Sequence, residues 1–141
     1  MRRVVIDTNI LVASLIQPAG FCGRLLDLVV DGAVEACVDD RILAEYAEGL
    51  PRRKFHLPAD KIEMTLDFFR QSGTPVVARP LSVDLPDPDD LPFLEVAAAA
   101  EAILVTGNLR HFPKKACRTV RVIGPAECLD LLRRAEGQGK P

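Results

Sequence analysis

Apolar and polar positions along this chain switch repeatedly between a period of two and a period near 3.6. Short runs rich in β-branched residues read as strands: Arg3 to Ile6, Val34 to Val38, Pro75 to Ala78, Ile103 to Val105 and Val120 to Ile123. Between them, windows near 8–16, 21–31, 40–49, 59–72, 91–101 and 125–135 read as helices. The clearest is D-K-I-E-M-T-L-D-F-F-R. There Ile62, Leu66 and Phe69 recur at helical spacing, joined by Phe68, against Lys61, Glu63, Asp67 and Arg70, and Gly73 ends the helix. Continuous apolar strands alternating with helices predict an α/β fold, a parallel sheet covered on both faces.

One long connection interrupts the alternation. P-L-S-V-D-L-P-D-P-D-D-L-P carries Pro80, Pro86, Pro88 and Pro92, so it cannot be a central strand and reads as an extended loop leading into a helix. The residues after it complete the same strand and helix pattern, so the loop is placed inside one domain, residues 1–135. The remainder, 136–141 (E-G-Q-G-K-P), is expected to be a flexible tail. A length of 141 residues suits one domain with its own core, and 48% hydrophobic with 27% charged residues excludes a disordered chain.

The net charge of −2 excludes a strongly basic, general nucleic-acid binder, but the charge is unevenly distributed. Leu81 to Leu109 holds six acidic residues and no Lys or Arg, whereas Ala102 to Ala126 holds five basic residues and no acid. A cation-dependent enzyme acting on phosphates would have such an acidic focus and basic flank; a solvated loop would show it too. Cys22, Cys37, Cys117 and Cys128 are too widely spaced for a C-x-x-C site and read as reduced thiols. Asp7 and Asn9 interrupt the first apolar run, and Glu95 and Glu101 bracket the alanines, so neither a signal peptide nor a membrane span is expected and the protein is placed in the cytoplasm.

In an open α/β sheet, ligands bind outside the carboxyl ends of the strands. The polar residues there are Asp7 after the first strand, Asp39, Asp40 and Glu45 after the second, Asp87, Asp89 and Asp90 at the end of the Pro-rich loop, and Thr106-Gly107-Asn108 after the fourth. Gathered carboxylates repel one another unless a cation lies among them, and with no His/Cys cluster the hard ion Mg²⁺ is the candidate. The implied chemistry is metal-assisted attack of water on a phosphodiester. Each residue also has a structural reading. Asp7, Thr8 or Asn9 can cap the following helix, Asp40 and Asp90 can cap theirs, Glu45 can be a surface helix residue, and Asn108 can be a turn residue.

V-V-I-D-T-N-I-L-V-A, Glu45 in I-L-A-E-Y, D-P-D-D-L-P-F-L-E-V-A and L-V-T-G-N-L-R-H-F, in that order, resemble the PIN-domain family. The likeness is to its VapC-like branch of toxins of bacterial toxin–antitoxin systems, and it extends from about Arg2 to Arg134. The resemblance implies a three-layer α/β/α Rossmann-like fold with a central parallel sheet of about five strands, and a ribonuclease that cuts single-stranded RNA with Mg²⁺ or Mn²⁺. By motif, Asp7, Glu45 and Asp90 are the metal-binding and catalytic carboxylates; Asp90 is chosen because it opens the helix leading to L-V-T-G-N. Asn108 takes a fourth catalytic position where many relatives carry Asp, which implies a less tightly held second ion. Thr8, Asn9, Thr106 and Asp87 are implied supporting residues.

Arg110 and Lys114, with Arg52, Arg53 and Lys54, are candidates to track a nucleic-acid backbone. His111 reads as a turn residue or phosphate contact. The toxin branch implies a small antitoxin partner and a homodimer. Two rivals stand beside this reading: a PIN-like module that binds RNA or protein without cutting, and an Asp-dependent Rossmann-like phosphatase. The usual D-x-D of such phosphatases is broken here by Asn9.

Overall fold

In the computed structural model, which describes residues 2–138, five strands pair side by side and all run parallel. They are β1 (Arg2–Ile6), β2 (Val34–Val38), β3 (Thr74–Pro75), β4 (Ile103–Val105) and β5 (Val122–Ile123), arranged in the order β3-β2-β1-β4-β5. The helices are α1 (Thr8–Ile16), α2 (Phe21–Val30), α3 (Asp40–Gly49), α4 (Ala59–Ser72), α5 (Leu91–Ala100), α6 (Lys114–Cys117) and α7 (Pro125–Gln138). On one side α2 packs on α1 and α7; on the other α3 packs on α4 and α5. With the sheet between them these make the expected three layers.

β1 is central because it is apolar on both faces. Val4, Val5 and Ile6 are consecutive and all buried, with Val4 opposite both Ala36 of β2 and Ile103 of β4. After β1 the chain winds to one side through β2 and β3, then the Pro-rich loop returns it to form β4 on the other side of β1. The strand order therefore reverses between β1 and β4, and their carboxyl ends open the crevice in which such sheets hold ligands.

Five helices, α1 to α5, match their predicted windows or differ by one residue. α4 buries Ile62, Thr65, Leu66 and Phe69, as its periodicity required. Gly73 does end α4, but with extended rather than left-handed backbone (φ −65°). A Cβ there would lie 2.5 Å from the Phe69 carbonyl oxygen and 2.8 Å from Val38 Cγ2, so it is close approach to the last turn of α4 and to β2 that requires glycine.

Both outer strands are shorter than predicted. β3 pairs only through Thr74 and Pro75, with one further bond from Val76 N–H to the Val38 carbonyl (2.9 Å), and Val77 is 96% exposed. Pro75 has no N–H for a ladder, and the chain then turns outward toward Pro80, as proline on an edge strand allows. β5 loses Val120, whose N–H turns back to the Cys117 carbonyl (2.9 Å). The sequence reading also missed α6 and three 3-10 turns, Arg53–Phe55, Pro88–Asp90 and Leu109–His111. These elements are too short to carry a period. Of the tail expected at 136–141, residues 139–141 lie outside the described residues, as does Met1.

Candidate active site

Asp7 is delivered by β1 and held by β4. Its N–H extends the ladder to the Val105 carbonyl (3.0 Å), and its side chain, 6% exposed, accepts from Thr106 Oγ1 (2.7 Å) and Asn9 Nδ2 (3.3 Å). Thr106 Oγ1 in turn accepts from Asn108 N–H (3.0 Å), and Asn9 Oδ1 accepts from Gly107 N–H (3.1 Å). The D-T-N and T-G-N motifs are thus tied to each other by the Thr106–Asp7 and Gly107–Asn9 bonds. Asp7 stands at the N-cap position of α1 but makes no side-chain cap bond, so its carboxylate serves the crevice rather than the helix. Burial pushes its pKa up, against the hydrogen bonds of Thr106, Thr8 and Asn9 and the His111 charge, which lower it. The Thr8 bond is from its backbone; among the described residues its Oγ1 is buried without a partner.

Glu45 enters from α3, whose close approach to α1 depends on Gly49. A Cβ at position 49 would lie 2.8 Å from Thr8 Cγ2 and 4.0 Å from Glu45 Oε1. The Glu45 pKa is raised, first by burial and then by Glu48, Asp89 and Asp7, against the Arg52 charge. α3 is capped by Asp39, which accepts from Ile42 N–H (2.9 Å), and not by Asp40, which is the first residue of the helix. Beside Glu45 a groove of about 400 Å³ is lined in part by Arg41, Glu48, Asp89 and Phe93.

The third acid arrives on the 3-10 turn Pro88–Asp90. Asp87 caps this turn by accepting from Asp89 N–H (3.0 Å), while Asp90, at the start of α5, makes no cap bond. Asp90 Oδ2 instead lies 2.8 Å from His111 Nδ1. Its pKa is raised to about 6, chiefly by burial and then by the Asp7 charge, with His111 opposing. The turn Leu109–His111 after β4 brings the imidazole there, so His111, expected as a turn residue or phosphate contact, is on a turn and also beside the third acid. The one signal of the latter was its place three residues after Asn108. Asn108 is half-buried and contributes its backbone N–H; among the described residues its side chain makes no hydrogen bond.

The donor set fits a divalent cation. Donor atoms of Asp87, Asp90 and His111 lie within 4.8 Å of one another; burial with repulsion from neighbouring carboxylates raises the pKa of Asp90 and of Glu45, and burial raises that of Asp7. Arg110, Lys114, Arg52, Arg53 and Lys54 are all exposed; Arg52 is the one whose charge acts on Glu45, and Lys54 Nζ lies over the Phe55 ring (5.1 Å). A larger cavity, 680 Å³, opens at the opposite, amino-end edge of the sheet between Arg2, Arg24, Leu129 and Arg133 and holds none of these acids, so volume alone does not locate the chemistry.

The family model described as PIN domain matches residues 3–110. The chain belongs to the PIN-domain family. A relative, the uncharacterized protein MJ1680 of Methanocaldococcus jannaschii, is 33% identical over 112 residues, which cover 75% of this chain and 70% of that protein. Among solved structures, the fold is similar to VapBC2 from Rickettsia felis bound to a promoter DNA fragment (TM-score 0.54, 16% identity, 86% of this chain and 98% of that one). It is similar also to FitAcB from Neisseria gonorrhoeae (TM-score 0.54, 17% identity, 87% and 98%). At these identities the likeness is one of fold. PIN domains are in general nucleases, hydrolases that use divalent metal ions, and this PIN domain carries a candidate acidic site. Among its described residues no single helix is long and apolar enough to cross a membrane.

Proposed function

We propose that this PIN domain is a Mg²⁺- or Mn²⁺-dependent endoribonuclease that hydrolyses phosphodiester bonds of single-stranded RNA. The observation that carries the reading is the buried Asp7 carboxylate, fixed by Thr106 and Asn9 at the mouth of the β1/β4 crevice that Asp90 also faces. Asp7, Asp90 and Glu45 are the residues that would hold the ion. When bound, such an ion lowers the pKa of water and neutralises charge growing on the phosphoryl oxygens.

The protein's own residues do the positioning. Thr106 and Asn9 fix one oxygen of Asp7, Oδ2. Glu45, its pKa raised, is suited to accept a proton from an attacking water. Arg110, Lys114, Arg52 and Lys54 bind backbone phosphates around this acidic centre. The complexes in which similar folds are seen carry the names VapBC2 and FitAcB, and they support placing this chain as the toxin of a toxin–antitoxin pair. On that reading it is a cytoplasmic homodimer held inactive by a small antitoxin. A second reading, a PIN-like module that binds without cutting, draws on Asn108, which offers no carboxylate where one is expected.

Incubation of the purified chain with single-stranded RNA separates the two. Cleavage is expected with Mg²⁺ or Mn²⁺ and none with EDTA. Asp7→Asn or Asp90→Asn should lower the rate by about 10²–10³-fold or more with unchanged circular dichroism. Equal cleavage by these variants, or none by the parent, would remove catalysis by this site.

A further inference from the structure

We propose that His111 is itself an ion ligand, forming with Asp87 and Asp90 a mixed nitrogen and oxygen position that prefers a later first-row divalent ion, such as Co²⁺, to Mg²⁺. The inference rests on the reading of the acidic edge as an ion site, and adds to it a residue and a selectivity. His111 Nδ1 lies 2.8 Å from Asp90 Oδ2, and donor atoms of His111, Asp90 and Asp87 all lie within 4.8 Å of one another. Neighbouring ligands of a six-coordinate ion with bonds of about 2.1 Å are about 3.0 Å apart, and opposite ones about 4.2 Å. The three side chains therefore need only a small contraction to share one ion.

The elements that carry them are already fixed. Asp87 and Asp90 sit on a turn closed by Asp90 N–H to the Asp87 carbonyl (3.1 Å), and His111 sits on one closed by its N–H to the Asn108 carbonyl (3.1 Å). The segment after β4 thus offers an imidazole at His111, while Asn108, where a carboxylate is expected, offers an amide. With its side chain 38% exposed, His111 is reachable from solvent. It can bind through Nδ1, which turns from its hydrogen bond with Asp90 to share the ion with that carboxylate. An imidazole strengthens binding along the Irving–Williams series and does little for Mg²⁺, which takes oxygen ligands.

The full chain tests this with Co²⁺ and Mg²⁺ as probes, by calorimetric titration and proton NMR. Its two histidines are His56 and His111, so the ring signals are readily assigned. A Co²⁺-bound His111 should give an exchangeable ring proton shifted far outside the diamagnetic range, absent in His111→Gln. His111→Gln should weaken Co²⁺ by about tenfold or more while changing Mg²⁺ affinity by less than about twofold, whereas Asp87→Asn, which removes an oxygen ligand, should weaken both ions. Absence of the shifted proton in the parent chain, or equal losses for both ions in His111→Gln, overturns the proposal, since equal losses mark a histidine that only positions Asp90. If the parent chain binds ions that Asp7→Asn loses but is indifferent to His111, this inference fails and the ion-site reading stands. If the parent chain binds neither ion, both fail.

Discussion

Asp90 is a carboxyl group held where ionisation is costly: burial and the Asp7 charge raise its pKa from 3.8 to about 6, more than His111 lowers it. Because the folded value lies above the unfolded one, the protonated form binds its proton more tightly in the native state. The stability gained is complete below pH 3.8 and is lost as pH rises through about 6. We expect the metal-free chain to lose on the order of 2 kcal/mol relative to Asp90→Asn over that window, and a saturating divalent ion to restore it above pH 6. Urea unfolding of both proteins from pH 4 to 7.5 measures this; parallel curves would disprove it. The sequence made Asp7, Asn9, Thr106 and Asp90 visible because each follows a strand or opens a helix. It could not tell cap from site, since both use a carboxylate in the same place, and only the hydrogen bonds show that Asp39 caps while Asp7 and Asp90 do not. The pairing of His111 with Asp90 was hidden because the two are 21 residues apart on different turns.

Glu95 carries the argument at the level of elements. The run F-L-E-V-A-A-A-A looks like a helix with one solvated acid, yet Glu95 is 4% exposed. Its carboxylate accepts from Arg41 Nη1 (2.6 Å) on α3 and from Leu81 N–H (2.7 Å) in the Pro-rich loop, so one side chain ties α5 to α3 and to the loop that carries Asp87 and Asp90. Arg41 also donates to Asp39 and is half exposed, so removing Glu95 chiefly orphans the Leu81 N–H. Glu95→Ala should therefore destabilise by about 1–3 kcal/mol, below the cost of stranding a fully buried charge. It should also open the loop to chymotrypsin near Leu81, whose N–H Glu95 holds. Denaturant midpoints and limited proteolysis test both; an unchanged midpoint would mean the pair contributes nothing. Such a tie is invisible in sequence, where Arg41 and Glu95 are 54 positions apart. The elements themselves were legible wherever they were long enough for a period, as in α4 and the central strand. They were misread at β3 and β5, where the ends of edge strands are set by Pro75 and by a turn rather than by apolar pattern.

At the scale of the whole molecule, alternation in sequence predicted a parallel sheet, and the sheet order explains why residues as far apart as Asp7 and Thr106 meet: β1 and β4 are neighbours only because the Pro-rich loop carries the chain back across the sheet. The same topology separates charge. The acids converge at the β1/β4 crevice, while Arg110 and Lys114 stay exposed on the segment after β4, so a chain of net charge −2 can still offer a phosphate chain a basic approach. Each cation that neutralises a phosphate of a single strand contributes about −0.7 to the slope of log affinity against log salt. If Arg110 and Lys114 each contact one phosphate, their joint replacement by Ala should make the slope shallower by about 1.4, twice that value, and weaken binding to RNAs of different sequence alike. Fluorescence anisotropy with Asp7→Asn as the background prevents cleavage during the salt series. An unchanged slope would remove Arg110 and Lys114 from the RNA path and leave Arg52, whose charge already acts on Glu45, as the basic residue to test next.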